Sequence, residues 1–454
     1  MSSASTAKAD VPASRRAAST PAHARARKPL LGPLASVGLL ASILVSLLAA
    51  SSAPTPLYAI YQQHWGFSPI TVTVVFGVYA VAVLASLLVF GKISDHVGRR
   101  PVLLTALLGQ ALAMVVFLTA TGVGGLLAAR IVQGLSTGAA VGAIGAGMLD
   151  IDPRRGGFLN SFAPAIGTAS GALVSGVIVQ YLPAPTHLVY VVLLAVFVLQ
   201  ALAVLALRES VSRKPGALAS MAPEIKLPAA ARTPVAIAAP VLFAVWALTG
   251  LYGALGPAIV RTLEHSDSVV WGGLPLFVLA GSAALAVVFL RRTATQTVML
   301  IGIGTLVVGV TITLASIASG AGGVVSVAGF FLGGAISGFG FGSGFQGGIR
   351  MVMPQVAPHE RAGVLSLLYV VCYLGLGVPA VIGGILVVHG GGLVQTAREY
   401  GAAVIALAFI ALTGLVVSGR RVERVAVVRS HPEPRAVVAA AQSPCVAEAA
   451  AQAE

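Results

Sequence analysis

Gly91-Lys92-Ile93-Ser94-Asp95-His96-Val97-Gly98-Arg99-Arg100-Pro101 separates two apolar runs, Ile70–Phe90 and Pro101–Thr121. Each run is about 20 residues long, the length an α-helix needs to cross the hydrocarbon core of a bilayer. So short a polar segment between two such runs is a tight turn joining antiparallel membrane helices, and its residues suit that turn. Gly98 permits a positive φ, and Pro101 fits the first turn of the next helix, where its missing N–H is no loss. Arg99 and Arg100 hold the loop on the cytoplasmic side. Asp95 can lie against the N-terminal end of a neighbouring helix, where unpaired N–H groups and the macrodipole favour a carboxylate.

Apolar runs of the same kind continue on both sides of this loop. The first group is Leu34–Tyr58, Ile70–Phe90, Pro101–Thr121, Leu126–Leu149, Phe158–Tyr181 and Leu188–Leu207. The second is Val235–Val260, Val269–Leu290, Thr297–Ser319, Val324–Met351, Gly363–Val388 and Ala402–Val417. The predicted fold is therefore all-α and polytopic, with twelve transmembrane helices in two six-helix bundles, residues 34–207 and 235–419. Residues 208–234 are the one long polar interruption and carry Arg208, Arg213, Lys214, Lys226 and Arg232, as a cytoplasmic linker would. Arg155-Gly156-Gly157-Phe158-Leu159 and Arg361-Ala362-Gly363-Val364-Leu365 open the fifth and eleventh runs. Gly171 and Gly377 then fall at the same offset from those arginines, as a duplicated six-helix unit predicts.

Composition excludes a soluble protein: 57% of the 454 residues are hydrophobic and 9% charged, with a mean hydropathy of +0.95. The net charge of +14 does not point to nucleic acid, because the basic residues alternate with apolar runs instead of forming one face or arm. With the N-terminus inside, the inner loops hold Lys92, Arg99, Arg100, Arg154, Arg155, the linker, Arg291, Arg292 and Arg361, and the outer loops only Arg261 and Arg398. Both termini are therefore expected in the cytoplasm of a bacterial-type inner (plasma) membrane, flanked by basic, disordered tails over residues 1–33 and 420–454. The first of these, rich in Ala, Ser and Arg, also has the composition of an organellar transit peptide. Cys372 and Cys445 are too few and too far apart for a disulfide framework or metal site.

The loop quoted above resembles the G-x-x-x-D-x-x-G-R-R signature of the major facilitator superfamily. The resemblance implies a cytoplasmic latch built from Gly91, Asp95, Gly98, Arg99, Arg100 and Asp150. Asp95 would cap the eleventh helix near Gly363, and Arg99 would pair with Asp150 at the inner end of the fourth helix. Such a latch is made in the outward-facing state and broken in the inward-facing one. Arg130-Ile131-Val132-Gln133-Gly134 resembles the fourth-helix signature R-x-x-Q-G, which gives Arg130 and Gln133 a role in substrate or proton handling. At about five residues from the outer helix end, roughly 8 Å deep, Arg130 could instead snorkel as a structural anchor. Gly134, Gly138 and Gly142 read as a packing seam. Gly167 to Gly176 is similar to the fifth-helix pattern of antiporters, with Ala172 in place of its Pro and Ser175 in place of a Gly. Leu207-Arg208-Glu209-Ser210 resembles the sixth-helix ending of drug efflux members. The family implies secondary transport of a small molecule, with efflux favoured, by a single chain in the bilayer and without cofactor or metal. An importer or passive facilitator of the same fold is the alternative, and a receptor or a membrane-embedded enzyme the remote ones.

No Asp, Glu or His lies in a helix centre. The interior polar residues that can meet a substrate are Tyr79, Gln110, Gln133 and Asn160 in the first half, and Trp246, Tyr252, Gln346, Tyr369 and Tyr373 in the second. They suit a weakly polar, aromatic cavity. Tyr58 stands near the outer boundary and is the weakest of the set. No catalytic constellation and no phosphate-binding G-x-x-x-x-G-K-[ST] is present.

Overall fold

A computed structural model describes residues 31–430 apart from 224, 226, 265–267, 320–321 and 358–359, with side chains through Val417. Most of both expected tails lies outside the described residues. The helices are α1 (Pro33–Ser52), α2 (Tyr58–Trp65), α3 (Pro69–Phe90), α4 (Ser94–Val97), α5 (Arg99–Leu118), α6 (Val123–Ile151), α7 (Pro153–Tyr181) and α8 (Leu188–Val204). After the linker come α9 (Ala229–Gly250), α10 (Gly256–Glu264), α11 (Val270–Phe289), α12 (Thr295–Ala318), α13 (Gly323–Val352), α14 (Arg361–His389) and α15 (Gly392–Ser430). No strand occurs among the described residues. Among the described residues eleven helical segments are long and apolar enough to span a membrane, and α8, apolar but only 17 residues long, stands where the sixth run is expected.

The two halves repeat one packing scheme. In the first, α1 packs on α7, α3 and α5 on α6, and α5 on α8. The counterparts in the second are α9 on α14, α11 and α12 on α13, and α12 on α15. Each half buries its own apolar cluster, one spanning Leu40 to Leu207 and the other mostly Ala231 to Leu415. Two broad contacts join the halves, α7 with α11 and α3 with α14, and these pairs are themselves equivalent under the repeat. Gly134, Gly138 and Gly142 line the α6 face against α3: a Cβ at Gly138 would come within 2.5 Å of the Val83 carbonyl oxygen. With little hydrophobic drive between helices inside a bilayer, such backbone contact supplies the packing.

Several boundaries differ from those read in the sequence, each for a local reason. The first run breaks at Ser52, because Pro54 and Pro56 cannot supply N–H groups to continue α1, and Tyr58 begins a separate short helix. The fifth run starts at Pro153, since the Asp152 side chain accepts from the Arg154 and Arg155 amides at 3.1 and 3.0 Å and caps α7. Arg154 and Arg155 therefore stand in the first turn of a helix. The seventh run extends from Ala229 to Glu264, so the linker ends at Pro228, and a π-helical segment at Leu251–Leu255 joins α9 to α10 just before Pro257. The eleventh run begins at Arg361, ahead of Gly363. The last helix begins at Gly392, which places Arg398 and Glu399 on a helix, and it runs to Ser430 without meeting a Gly–Pro stop. That carries it past residue 419, where the second bundle is expected to end.

Candidate functional site

The loop that opened the sequence reading folds as a short turn of helix, α4, between α3 and α5. Gly98 takes φ +105°, a conformation open to glycine, and ends that turn. Arg99 is 8% exposed and gathers the loop: its Nη1 donates to Ser94 Oγ at 2.6 Å and to Asp95 Oδ1, and its Nε donates to Asp150 Oδ2 at 3.4 Å. Asp95 is half exposed and bonds Arg99, not α14: no hydrogen bond from it to α14 occurs among the described residues. Gly91 ends α3 at the point where Gly142 of α6 crosses, a Cβ on Gly142 lying 3.0 Å from the Gly91 oxygen.

Glu209, expected at the ending of the sixth helix, joins this cluster from beyond the end of α8. Its carboxylate accepts from the backbone N–H groups of Arg99 at 2.8 Å and Arg100 at 3.0 Å, and so caps α5. Gly98 has no side chain with which to cap that helix, and the vacancy, with an acid just after the sixth span at the same end, was the available signal. Ser210 Oγ donates to Asp150 Oδ2 at 3.2 Å and the Lys214 amide to the His96 carbonyl at 2.9 Å, which fastens the start of the linker to the loop. The loop, the C-terminal end of α6 and the start of the linker together form the motif end of the molecule.

Arg130 does not snorkel. It is completely buried, and no carboxylate among the described residues pairs with it. Its Nη1 donates to the Ser51 carbonyl at 2.9 Å and to Gln133 Oε1 at 2.7 Å, while Nε and Nη2 both donate to Tyr58 Oη, at 2.9 and 2.5 Å. Gln133 Nε2 donates to the Ala50 carbonyl at 3.0 Å. Ala50 and Ser51 belong to the last turn of α1, whose carbonyls lost their partners when Pro54 and Pro56 ended the helix. Arg130 and Gln133 are thus a C-terminal cap inside the membrane, and the helix macrodipole favours the cation there. The rings of Tyr79, Tyr58 and Phe117 surround the guanidinium at 5.2, 5.7 and 5.8 Å from their centroids. Gln110 braces the same region, donating to the Gln133 carbonyl at 2.9 Å and to Thr137 Oγ1 at 2.8 Å. Tyr58, ranked weakest in the sequence, is the main partner of Arg130. Just outside the spans, Tyr61 donates to Tyr190 at 3.1 Å, and burial pushes its hydroxyl up to about 12, so it stays neutral.

Of the interior residues singled out in the sequence, four line one cleft between the bundles: Asn160, Trp246, Tyr369 and Tyr373. The first bundle contributes Leu44, Leu48, Val141 and the α7 residues Asn160, Ser161, Pro164, Ala165 and Thr168. The second contributes α11 aliphatics and an aromatic wall of Trp246, Phe341, Phe345, Tyr369 and Tyr373, with Trp246 and Tyr373 centroids 4.9 Å apart. None of the described lining residues is charged. The cavity measures about 160 Å³, below the roughly 300–1,000 Å³ of a drug-sized site, so in this conformation it admits a small molecule. The Trp246 indole N–H and Gln346 Oε1 are buried without partners, which costs about 1–3 kcal/mol for each such group. Arg130, Gln133, Tyr79 and Gln110 are not brought to this cleft. Tyr252 is not either: its hydroxyl shares a hydrogen bond with Thr313 at 2.8 Å inside the second bundle, and its ring stacks on Phe330.

The cleft lies on the motif side of the contacts that join the bundles. On the other side, the far end, the backbones touch: a Cβ at Gly273 would lie 2.2 Å from the Ala172 carbonyl oxygen, and one at Gly384 would lie 2.0 Å from Thr73 Oγ1. Gln180 Oε1 of α7 accepts from the Val269 amide at 2.8 Å and caps α11 across the interface.

A family model described as Major Facilitator Superfamily matches residues 39–333, well over half of the chain. The inner membrane transport protein YnfM of Escherichia coli (strain K12) is 30% identical over 131 residues, 28% of this chain. That match spans 31% of the relative's length. In fold, the chain resembles crystal structures of the nucleoside transporter NupG. A variant of that protein aligns with a TM-score of 0.65 at 13% identity over 84% of this chain and 100% of that one. Another structure of it aligns at 0.62 and 14% over 85% and 99%.

Proposed function

The chain belongs to the Major Facilitator Superfamily, and from that premise we propose that it is a secondary active transporter exporting a small organic molecule by alternating access. The observation that carries the reading is the uncharged cleft between two equivalent bundles, on the motif side of a glycine-lined seal. Binding near the middle of the membrane, between repeats that rock against each other, is how such repeat folds move a solute.

The excess of Lys and Arg at the motif end supports a cytoplasmic location for that end, for both termini and for the linker, in an inner membrane of bacterial type. On this reading the conformation described is inward-facing. Arg99 keeps its ties to Asp95 and Asp150 within the first bundle, while Asp95 is released from α14, its partner in the outward-facing state. A single chain holds both walls of the cleft, which supports action as a monomer. Efflux rests on the sixth-helix ending and the antiporter-like fifth helix.

Energy coupling follows from the lining. With no Asp, Glu or His among the described residues around the cleft, and with Arg permanently protonated, the protein offers no titrating group beside the solute. Flux in proteoliposomes, at fixed solute charge and clamped membrane potential, is therefore expected to change less than about twofold under an imposed pH gradient. A panel of neutral and charged solutes in the same vesicles tests transport itself. Strong uphill accumulation driven by the gradient would overturn the coupling, and absence of any saturable flux would overturn the transport reading.

A further inference from the structure

We propose that the cleft takes an uncharged, planar aromatic solute whose ring lies on the wall of Trp246, Phe345 and Tyr373 and whose hydrogen-bonding edge is read by the Asn160 amide. The proposal deepens the transport reading by naming the solute class, and it rests on that reading for the use of the cleft. The two walls differ: the aromatic side chains all come from the second bundle, which adds the hydroxyls of Thr249, Tyr369 and Tyr373, whereas the one amide among the described lining residues, Asn160, stands with Ser161 and Thr168 on α7 of the first. A flat, two-sided molecule fits such a slot, with its face against the rings and its edge towards α7.

Charge is excluded by the walls. An ionised solute would surrender its hydration to a surface with no counter-charge among the described residues. Arg130, the buried cation of the first bundle, is committed to α1 and is not part of the lining.

Asn160 is the reader because nothing else explains its side chain. Asparagine is a poor residue for a helix interior, and its amide makes no hydrogen bond among the described residues although it stands well inside α7. Opposite it, α6 carries Gly145, where a Cβ would lie 3.2 Å from Oδ1 and 3.3 Å from Nδ2, so the glycine leaves the amide room. An amide presents a donor and an acceptor side by side, the complement of a carboxamide or lactam edge. Because ring wall and amide sit on different bundles, the solute bridges them, and its binding favours the state in which they close on it.

The test is equilibrium dialysis of the full-length protein in detergent against four probes: 2-naphthamide, N,N-dimethyl-2-naphthamide, 2-naphthoate and trimethyl(2-naphthyl)ammonium. The expected order is 2-naphthamide tightest and both ions at least about tenfold weaker. Asn160→Leu is expected to weaken 2-naphthamide about tenfold, the loss of one or two net hydrogen bonds, and to bring it level with the dimethylamide. Trp246→Phe, which keeps a ring, is expected to weaken both amides alike. The proposal is overturned by an ion binding as tightly as the amide, by an unchanged ratio of the two amides in Asn160→Leu, or by no binding of any probe. Binding with this selectivity but without flux in proteoliposomes would sink the transport reading and leave the solute class standing. Saturable flux of other solutes without amide binding would do the reverse.

Discussion

Arg130→Leu is expected to destabilise the protein by on the order of 3–5 kcal/mol, because it leaves the Ser51 carbonyl, Gln133 Oε1 and Tyr58 Oη unpaired around a fully buried position. Removing a buried charge returns part of that cost, which is why the figure is below the sum for three orphaned groups. Arg130→Lys is expected to fall between leucine and the parent. An ammonium keeps the charge, but its three donors cannot reproduce the planar fork that reaches the end of α1 on one side and Tyr58 on the other. Thermal unfolding in detergent measures both variants, and probe binding in the fraction that remains folded is expected to stay near the parental value, since Arg130 does not line the cleft. A variant with parental stability and abolished binding would make Arg130 a ligand-binding residue.

Asp95→Asn is expected to act in the opposite way, reducing transport at least tenfold while the protein reaches the membrane in normal amount. The side chain is half exposed, and an ion pair so placed contributes only about 0–1 kcal/mol to stability. Its loss is expected to be felt in the cycle, because in the proposed outward-facing state a carboxylate caps the start of α14 and an amide has no charge for the helix dipole to favour. Arg99 would keep Asp150 and Ser94. Flux in vesicles, normalised to the amount of protein, is the measurement, and unchanged flux would reduce the loop to a topogenic turn.

The fold could be read from hydropathy because a membrane admits few backbones: once every N–H and C=O must be satisfied within the chain, the long apolar runs become helices. Helix ends were less legible. Their position depends on prolines such as Pro54 and Pro56 and on caps such as Asp152, whose effect reaches only a residue or two. Four of the interior polar residues singled out by type line the cleft. Which four could not be read, because the same kinds of side chain also satisfy the interior of a bundle, as Tyr252 does with Thr313 and Gln110 with Gln133. Arg130 and Tyr58 were misjudged for a related reason. Depth along a helix was counted in residues, whereas their positions are set by the broken end of α1, which lies far from Arg130 in sequence. Glu209 escaped because a cap supplied from a distant segment leaves no local pattern.

If one cleft opens to one side of the membrane at a time, Thr168, in the cleft wall and midway along α7, reports which side. A Thr168→Cys variant, made in a Cys372→Ser, Cys445→Ser background, is treated with a membrane-impermeant thiol reagent on intact cells and on inverted vesicles. The prediction is modification from the motif side only. Adding Gly273→Leu, whose side chain would meet the Ala172 carbonyl and force the far end apart, is expected to move reactivity to the far side. Equally fast reaction from both sides of the unaltered cleft, or a pattern indifferent to Gly273→Leu, would contradict it.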